Sequence, residues 1–201
     1  MKVNEILSNG KITLSFEVFP PKKESGVETI YKTLEELKDL NPDFISVTYG
    51  AGGVGVANAT TIDLCSMIKN KYGVETIAHL SCLYNTKESI DEILNQLKEN
   101  GIENILALRG DVNPDFEVKN DFKYASDLTE YIMSKNMGFN VSGACYPEVH
   151  QEAENMIADI QNLKKKVDAG ADHLISQLFF DNNAFYDFIE KVRIAGINVP
   201  V

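Results

Sequence analysis

The chain has 201 residues, of which 44% are hydrophobic and 24% are charged, and its formal net charge is −11. These values are typical of one globular domain, and the acidic balance argues against nucleic-acid binding, which needs clustered Lys and Arg. We predict a cytoplasmic protein without membrane contact, because no apolar run approaches the roughly 20 residues of a membrane helix and the N-terminus is unlike a secretory signal. The cysteines lie far apart, which predicts reduced thiols and neither a disulfide nor a zinc site.

Apolar runs of strand length alternate along the chain with amphipathic segments of helix length. Strands are predicted at 12–19, 44–49, 75–80, 104–109, 140–146 and 173–180. Helices are predicted at about 27–40, 58–71, 87–100, 122–136, 152–168 and 183–195. This alternation indicates parallel βαβ units, arranged either as an open doubly wound sheet or as a (β/α)8 barrel.

Polar side chains stand at or near the C-terminal end of every predicted strand, about one βα unit apart. They are Glu17, Thr48, His79, Arg109 with Asp111, Tyr146 and Gln177. In a barrel these ends meet at one mouth, whereas a doubly wound sheet gathers its ligand groups near one switch point. The distribution therefore favours the barrel.

Two of these positions suggest chemistry. Glu17 interrupts an apolar run, where a carboxylate is costly unless it is paired or has a task, and a carboxyl in such surroundings suits a general acid. The alternative is a structural carboxylate held by an Arg or by backbone donors. Arg109 and Asp111 flank Gly110: the Arg can bind a phosphate or carboxylate and the Asp a heterocycle, or the pair can form a salt bridge that closes a loop.

Other polar patterns are weaker. Residues 50–55 match G-x-G-x-x-G, but they follow the second strand and Glu75 lies at the wrong end of the third, so we interpret them as a loop that lets a ligand approach the backbone. Asp159, Asn162 and Lys166 share one helical face, while Lys164 and Lys165 are read as solvated charges. The spacing of His79, His150 and Glu148 is not diagnostic, and no metal site is predicted.

Together these motifs resemble the methylenetetrahydrofolate reductase family. The resemblance rests on segments 16–21 (FEVFPP), 46–53 (SVTYGAGG), 79–82 (HLSC), 108–111 (LRGD), 146–150 (YPEVH) and 177–181 (QLFFD), which span nearly the whole chain in family order.

The resemblance implies a (β/α)8 barrel of one-carbon metabolism that binds FAD non-covalently and works by a ping-pong reaction. A reduced pyridine nucleotide, NADH or NADPH, would reduce FAD and leave, and hydride would then pass to 5,10-methylenetetrahydrofolate to give 5-methyltetrahydrofolate. It also implies that Glu17 is the general acid, that Asp111 lies near flavin and folate, and that Gln177 contacts both substrates. The implied FAD contacts are Thr48, His79, Arg109, Gly110, Asp111, Tyr124, Ala125, Tyr146, His150, Asp159, Asn162, Lys166 and Ala171.

Family members continue beyond the length of this chain. We therefore expect residues 1–201 to form a single catalytic barrel domain of about six βα units that stops within strand 7. A homo-oligomer is expected. Two alternatives stay open: a flavin- or folate-binding subunit of a larger redox complex that receives electrons from a partner protein, and another pterin-binding barrel enzyme.

Overall fold

The computed structural model describes residues 1–21, 26–49 and 56–201 of the chain. The strands are β1 (Ser15–Val18), β2 (Phe44–Val47), β3 (Glu75–Ser81), β4 (Asn104–Leu108), β5 (Asn140–Cys145) and β6 (His173–Ser176). The helices are α1 (Val3–Leu7), α2 (Val27–Lys38), α3 (Val56–Tyr72), α4 (Lys87–Glu99), α5 (Ala125–Ser134), α6 (Met156–Asp168) and α7 (Asn182–Ile194).

The strands form one parallel sheet in the order β1-β2-β3-β4-β5-β6, and the sheet is curled into a half-barrel. Each strand pairs with the next one along the chain, so the order never reverses and the doubly wound alternative is excluded. Because every strand runs in the same direction, the C-terminal ends of all the strands lie at one edge of the sheet. That edge carries the predicted site residues.

The helix α4 shows why the sequence forms these elements. Its apolar residues Ile90, Ile93, Leu94 and Leu97 make one buried stripe against the sheet. Thr86 caps the first turn by accepting a hydrogen bond from the Ser89 N–H, with Oγ1 and N 3.2 Å apart. The strand β3 has buried side chains at every position but its first, as expected for a parallel strand covered on both faces.

Several predicted boundaries differ from the structure, among them the following three. The strand β1 begins only at Ser15, and Ile12 is 100% exposed. The strand β6 ends at Ser176, and Phe180 beyond it is 91% exposed, so residues 177–180 form a loop. The helix α6 starts at Met156 and not at 152, because Asn155 is its N-cap and accepts from the Ala158 N–H.

The short helix α1 was not predicted, since five residues are too few to show a helical period. It covers the N-terminal end of the sheet, where Val3 and Ile6 pack against apolar side chains of β2, β3 and β4. The Val3 N–H donates to Asn104 Oδ1 at 2.8 Å, which fixes the helix over the sheet. This end of the half-barrel is therefore filled, and the opposite end is left for ligands.

Other sequence predictions concern the chain end, the thiols and membranes. The Leu174 N–H on β6 donates to the Pro200 carbonyl at 2.8 Å, so residue 200 lies where a seventh parallel strand would pair. All the cysteines are free and buried, and burial raises the pKa of the Cys82 and Cys145 thiols to about 12. Within the described ranges, no helix has the length and hydropathy to cross a membrane.

Candidate functional site

A cavity of about 420 Å³ opens at the C-terminal edge of the sheet. Its lining comes from β1, β3, β4, β5 and β6, from loops that follow these strands, and from the helices α5 and α6. The predicted site residues that line it are Glu17, His79, Arg109, Gly110, Asp111, Tyr124, Ala125, Tyr146, His150, Asp159, Asn162, Lys166 and Gln177. Side chains from both ends of the chain thus reach one space.

Thr48 and Ala171 are not among the lining residues. Ala171 is buried behind β5, and its N–H donates to the Lys166 carbonyl at 3.1 Å. Thr48 directly follows β2, and its N–H donates to the Val18 carbonyl at 3.0 Å. It precedes the glycine-rich loop 50–55, whose predicted role at a ligand lies outside the described residues.

Glu17 stands on β1 at the rim of the cavity, with its side chain 44% exposed. The sequence predicted a free-energy cost for burying the Glu17 carboxylate among apolar neighbours, and this cost does not arise because the side chain is partly exposed. Its Oε2 accepts a hydrogen bond from Ser46 Oγ at 3.3 Å, and His79 Nε2 lies 3.5 Å from the same oxygen. The carboxyl is held by neighbouring strands and not by an Arg.

His79 is buried on β3, and burial lowers the pKa of its imidazole to about 4. The ring is therefore neutral at pH 7, and its contact with Glu17 is not an ion pair. Its Nε2 is buried and has no hydrogen-bond partner in the described part of the chain. An orphaned polar atom beside a cavity is a natural contact for a ligand.

Arg109, just past β4, extends its guanidinium to Glu152. Two parallel hydrogen bonds join Nη1 and Nη2 to the carboxylate at 2.5 and 2.8 Å, and Nε donates to the Gly110 carbonyl at 3.1 Å. This charge pairing raises the pKa of Arg109 and lowers the pKa of Glu152. A salt bridge at this position was one alternative from the sequence, but its partner is Glu152 and not Asp111.

Glu152 was missed because the sequence pattern placed it at the start of a helix. It lies instead in the loop after β5, where its N–H donates to His150 Nδ1 at 3.1 Å. In the same loop Val149 has a φ of 72°, a left-handed conformation that strains a β-branched residue. The ring centroids of Tyr146 and His150 lie 4.6 Å apart in an edge-to-face arrangement. Backbone strain of the kind seen at Val149 is often found in loops that form functional sites.

Lys166 reaches the cavity from α6. A Cβ at Gly143 on β5 would lie 3.6 Å from Lys166 Cδ, an ordinary van der Waals distance, so the lysine stem packs along β5 at the glycine. The ammonium donates to the Ala144 carbonyl at 2.8 Å. Burial lowers the pKa of Lys166, and the nearby Asp159 carboxylate opposes that shift. Asp159 itself accepts from the His150 N–H at 2.9 Å.

Three further residues of the lining differ in exposure. Lys165, predicted to be a solvated charge, is exposed but also lines the cavity, and its Nζ donates to Asn162 Oδ1 at 2.9 Å. Asp111 and Gln177 are exposed at the mouth, which leaves both side chains accessible to a ligand.

The donor set can hold a large anionic ligand. Arg109 and Lys166 supply positive charge, and His79 supplies a buried nitrogen without a partner. Gly110, at a φ of 90°, brings the backbone within reach, since a Cβ there would lie 3.2 Å from Ser81 Cβ. Among the described residues, no group of three or more His, Cys, Asp or Glu side chains could hold a metal ion.

These features define a parallel α/β protein whose candidate ligand site is a cavity at the C-terminal edge of a curled sheet. Its fold is similar to that of oxaloacetate acetylhydrolase in complex with the product oxalate, with a TM-score of 0.67. That match covers 94% of this chain and 66% of the other at 13% sequence identity, so it concerns the fold alone.

The profile of the methylenetetrahydrofolate reductase family matches residues 2–201. The chain is 41% identical over 193 residues to 5,10-methylenetetrahydrofolate reductase of Pectobacterium carotovorum subsp. carotovorum, covering 96% of this chain and 63% of that protein. It is 38% identical over 214 residues to methylenetetrahydrofolate reductase (NADH) 1 of Arabidopsis thaliana, of which it spans 36%. The chain belongs to the methylenetetrahydrofolate reductase family, as its motifs predicted, and spans less than two thirds of either relative.

Proposed function

We propose that this protein reduces 5,10-methylenetetrahydrofolate to 5-methyltetrahydrofolate with electrons from NADH or NADPH. The observation that carries the proposal is the meeting of Glu17, Asp111 and Gln177 in one cavity, which the cationic side chains of Arg109, Lys165 and Lys166 also line. Family membership over residues 2–201 supports it independently. The six βα units would be the larger part of a (β/α)8 barrel, and residues 1–201 would belong to one catalytic domain.

FAD fits the residues of the cavity. Arg109 and Lys166 would hold its diphosphate, Gly110 would let it approach the backbone, and His79 Nε2 would gain the partner that it lacks. When bound, FAD would accept a hydride from the pyridine nucleotide and pass it on to the folate in a second half-reaction. The protein supplies position, charge and protons for this chemistry.

Proton delivery falls to Glu17. Its partly exposed carboxyl can reach a substrate at the cavity mouth, where it would protonate the substrate nitrogen that leaves the methylene carbon. The Asp111 carboxylate would stabilise the positive charge that develops on the substrate, and the Gln177 amide would orient it. Both side chains stand exposed at that mouth.

The test uses the purified full-length protein. We expect a yellow preparation that releases FAD on denaturation, bleaches anaerobically with NADH or NADPH, and recovers its colour when 5,10-methylenetetrahydrofolate is added. A preparation that neither contains flavin nor takes up added FAD would contradict the proposal and favour another pterin-binding barrel enzyme. Flavin that is reduced only through a partner protein would instead identify a subunit of a larger redox complex.

A further inference from the structure

Ser46 is a buried polar residue whose hydroxyl has the Glu17 carboxyl group as its hydrogen-bond partner. It stands on β2 directly opposite Glu17 on β1, and its neighbours in the strand, Ile45 and Val47, are buried and apolar. A hydroxyl in such a strand is costly unless it forms a hydrogen bond. Ser46 Oγ donates to Glu17 Oε2 at 3.3 Å.

A second side chain converges on the same oxygen. His79 on β3 places Nε2 3.5 Å from Glu17 Oε2, and that nitrogen is buried without a hydrogen-bond partner among the described residues. Glu17 Oε1 receives no hydrogen bond from the described side chains. The two carboxyl oxygens therefore have different environments.

We propose that Ser46 is a positioning residue that fixes Glu17 Oε2 as the acceptor and leaves Oε1 as the oxygen that delivers the proton. This inference rests on the proposed function. A protonated carboxyl has one carbonyl oxygen and one hydroxyl oxygen, and donors select the carbonyl oxygen. With Oε2 occupied, the proton stays on Oε1.

The transfer balances without any further reactant. The O–H bond at Oε1 breaks and an N–H bond forms at the substrate nitrogen, while the electron pair of the broken bond stays on the carboxylate. The Ser46 hydroxyl then stabilises the new negative charge on Glu17, because a hydrogen bond to an ionised acceptor is stronger than one to a neutral acceptor. The interaction thus gains strength as the proton leaves, which is the condition for a catalytic benefit.

The first experiment measures the two half-reactions of the full-length protein separately. Ser46→Ala should slow folate reduction roughly tenfold or more, as expected for losing a hydrogen bond to a charged group, with KM nearly unchanged. Flavin reduction by the pyridine nucleotide should stay at the wild-type rate. Ser46→Thr, which keeps the hydroxyl, should restore most of the folate rate. Ser142→Ala removes a buried strand hydroxyl that bonds the Ile105 carbonyl, and serves as the matched control with no effect on the folate step.

A double-mutant cycle separates positioning from general disturbance. In a Glu17→Gln background, Ser46→Ala should cause no further loss, because the hydroxyl acts only through the carboxyl. An equal loss in both backgrounds would overturn the inference. If Ser46→Ala does not fold, Ser46→Cys has a similar size and a weaker donor and should give an intermediate rate. A wild-type rate in that variant would also count against the inference.

The second experiment does not depend on turnover. The infrared difference spectrum between wild type and Glu17→Gln reports the carbonyl stretch of protonated Glu17, which should move to higher frequency in Ser46→Ala. Such a shift in a protein without reductase activity would leave the positioning role standing and remove the proposed function. Reductase activity together with an unshifted band and a normal folate rate in Ser46→Ala would remove the positioning role alone.

Discussion

Replacing Gly110 with Ala should both destabilise the protein and disturb the candidate site. Gly110 has a φ of 90°, and a Cβ there would lie 3.2 Å from Ser81 Cβ on the neighbouring strand. The left-handed conformation costs a non-glycine residue about 1–2 kcal/mol. Overpacking against β3 adds about 1–3 kcal/mol. The free energy of unfolding should therefore fall by about 2–5 kcal/mol.

Gly101→Ala is the matched control, since Gly101 has a φ of 73° and a Cβ there would meet nothing within 4 Å. It should lower the free energy of unfolding by only about 1–2 kcal/mol. Urea denaturation measures both variants, and a flavin titration should show weaker binding for Gly110→Ala alone. Ser81→Gly removes the Cβ that the new alanine side chain would contact. In a double-mutant cycle, the coupling energy between Gly110→Ala and Ser81→Gly should equal the overpacking contribution to the destabilisation. Equal destabilisation of the two alanine variants, with no coupling to Ser81, would refute the steric argument.

The other predictions concern catalysis, flavin binding and stability. Glu17→Gln should slow folate reduction at least ~10²-fold and leave flavin reduction nearly intact, as rapid kinetics of each half-reaction would show. Arg109→Ala and Lys166→Ala should each raise the FAD dissociation constant while changing the melting temperature of the protein only slightly. Burial lowers the pKa of His79 from 6.5 to about 4 in the folded protein. The free energy of unfolding should therefore be highest above pH 6.5 and should decrease as the pH falls from 6.5 to 4. The expected loss of unfolding free energy is on the order of 3 kcal/mol, and urea denaturation at a series of pH values would measure it. In His79→Gln this pH dependence should be much weaker. Thr86→Ala should cost about 1 kcal/mol in the same denaturation assay, because α4 loses its cap.

Local pattern was enough to predict the regular elements. The helix α4 ends one residue from its predicted C-terminus, since its stripe, its cap and the following Gly101 all agree. The strand β3 extends one residue beyond its predicted range, and β4 ends one residue short of its own. Residues 105–108 of β4 form a continuous apolar run, as expected for a strand that is buried on both faces. The sequential strand order then brings the polar strand ends to one edge. These features depend on interactions between near neighbours in the chain.

The partners of the site residues could not be predicted in the same way. Ser46 meets Glu17 through the register of two paired strands, and no spacing along the chain reports that register. Glu152 reaches Arg109 through a loop in which Val149 adopts a left-handed φ that its side chain disfavours. The apolar residues 178–180 were predicted to continue β6, yet they lie in a loop where Phe179 stacks on Phe185 of α7. Long-range packing overrides local preference at each of these points.

The polar contacts of the cavity fall into two separate groups. The first group joins Glu17, Ser46 and His79 on β1, β2 and β3. The second group includes the Arg109–Glu152 contact between the loops after β4 and β5, and the contact of Lys166 on α6 with Ala144 on β5. Among the described residues, no hydrogen bond connects the first group to the second. A change in one group should therefore leave the geometry of the other intact, and their effects should add in free energy. If the proposed function holds, Glu17 and the two cations Arg109 and Lys166 would therefore contribute separately, and His79, which lies in the first group and is also an expected FAD contact, would be the residue whose replacement affects both proton delivery and cofactor binding.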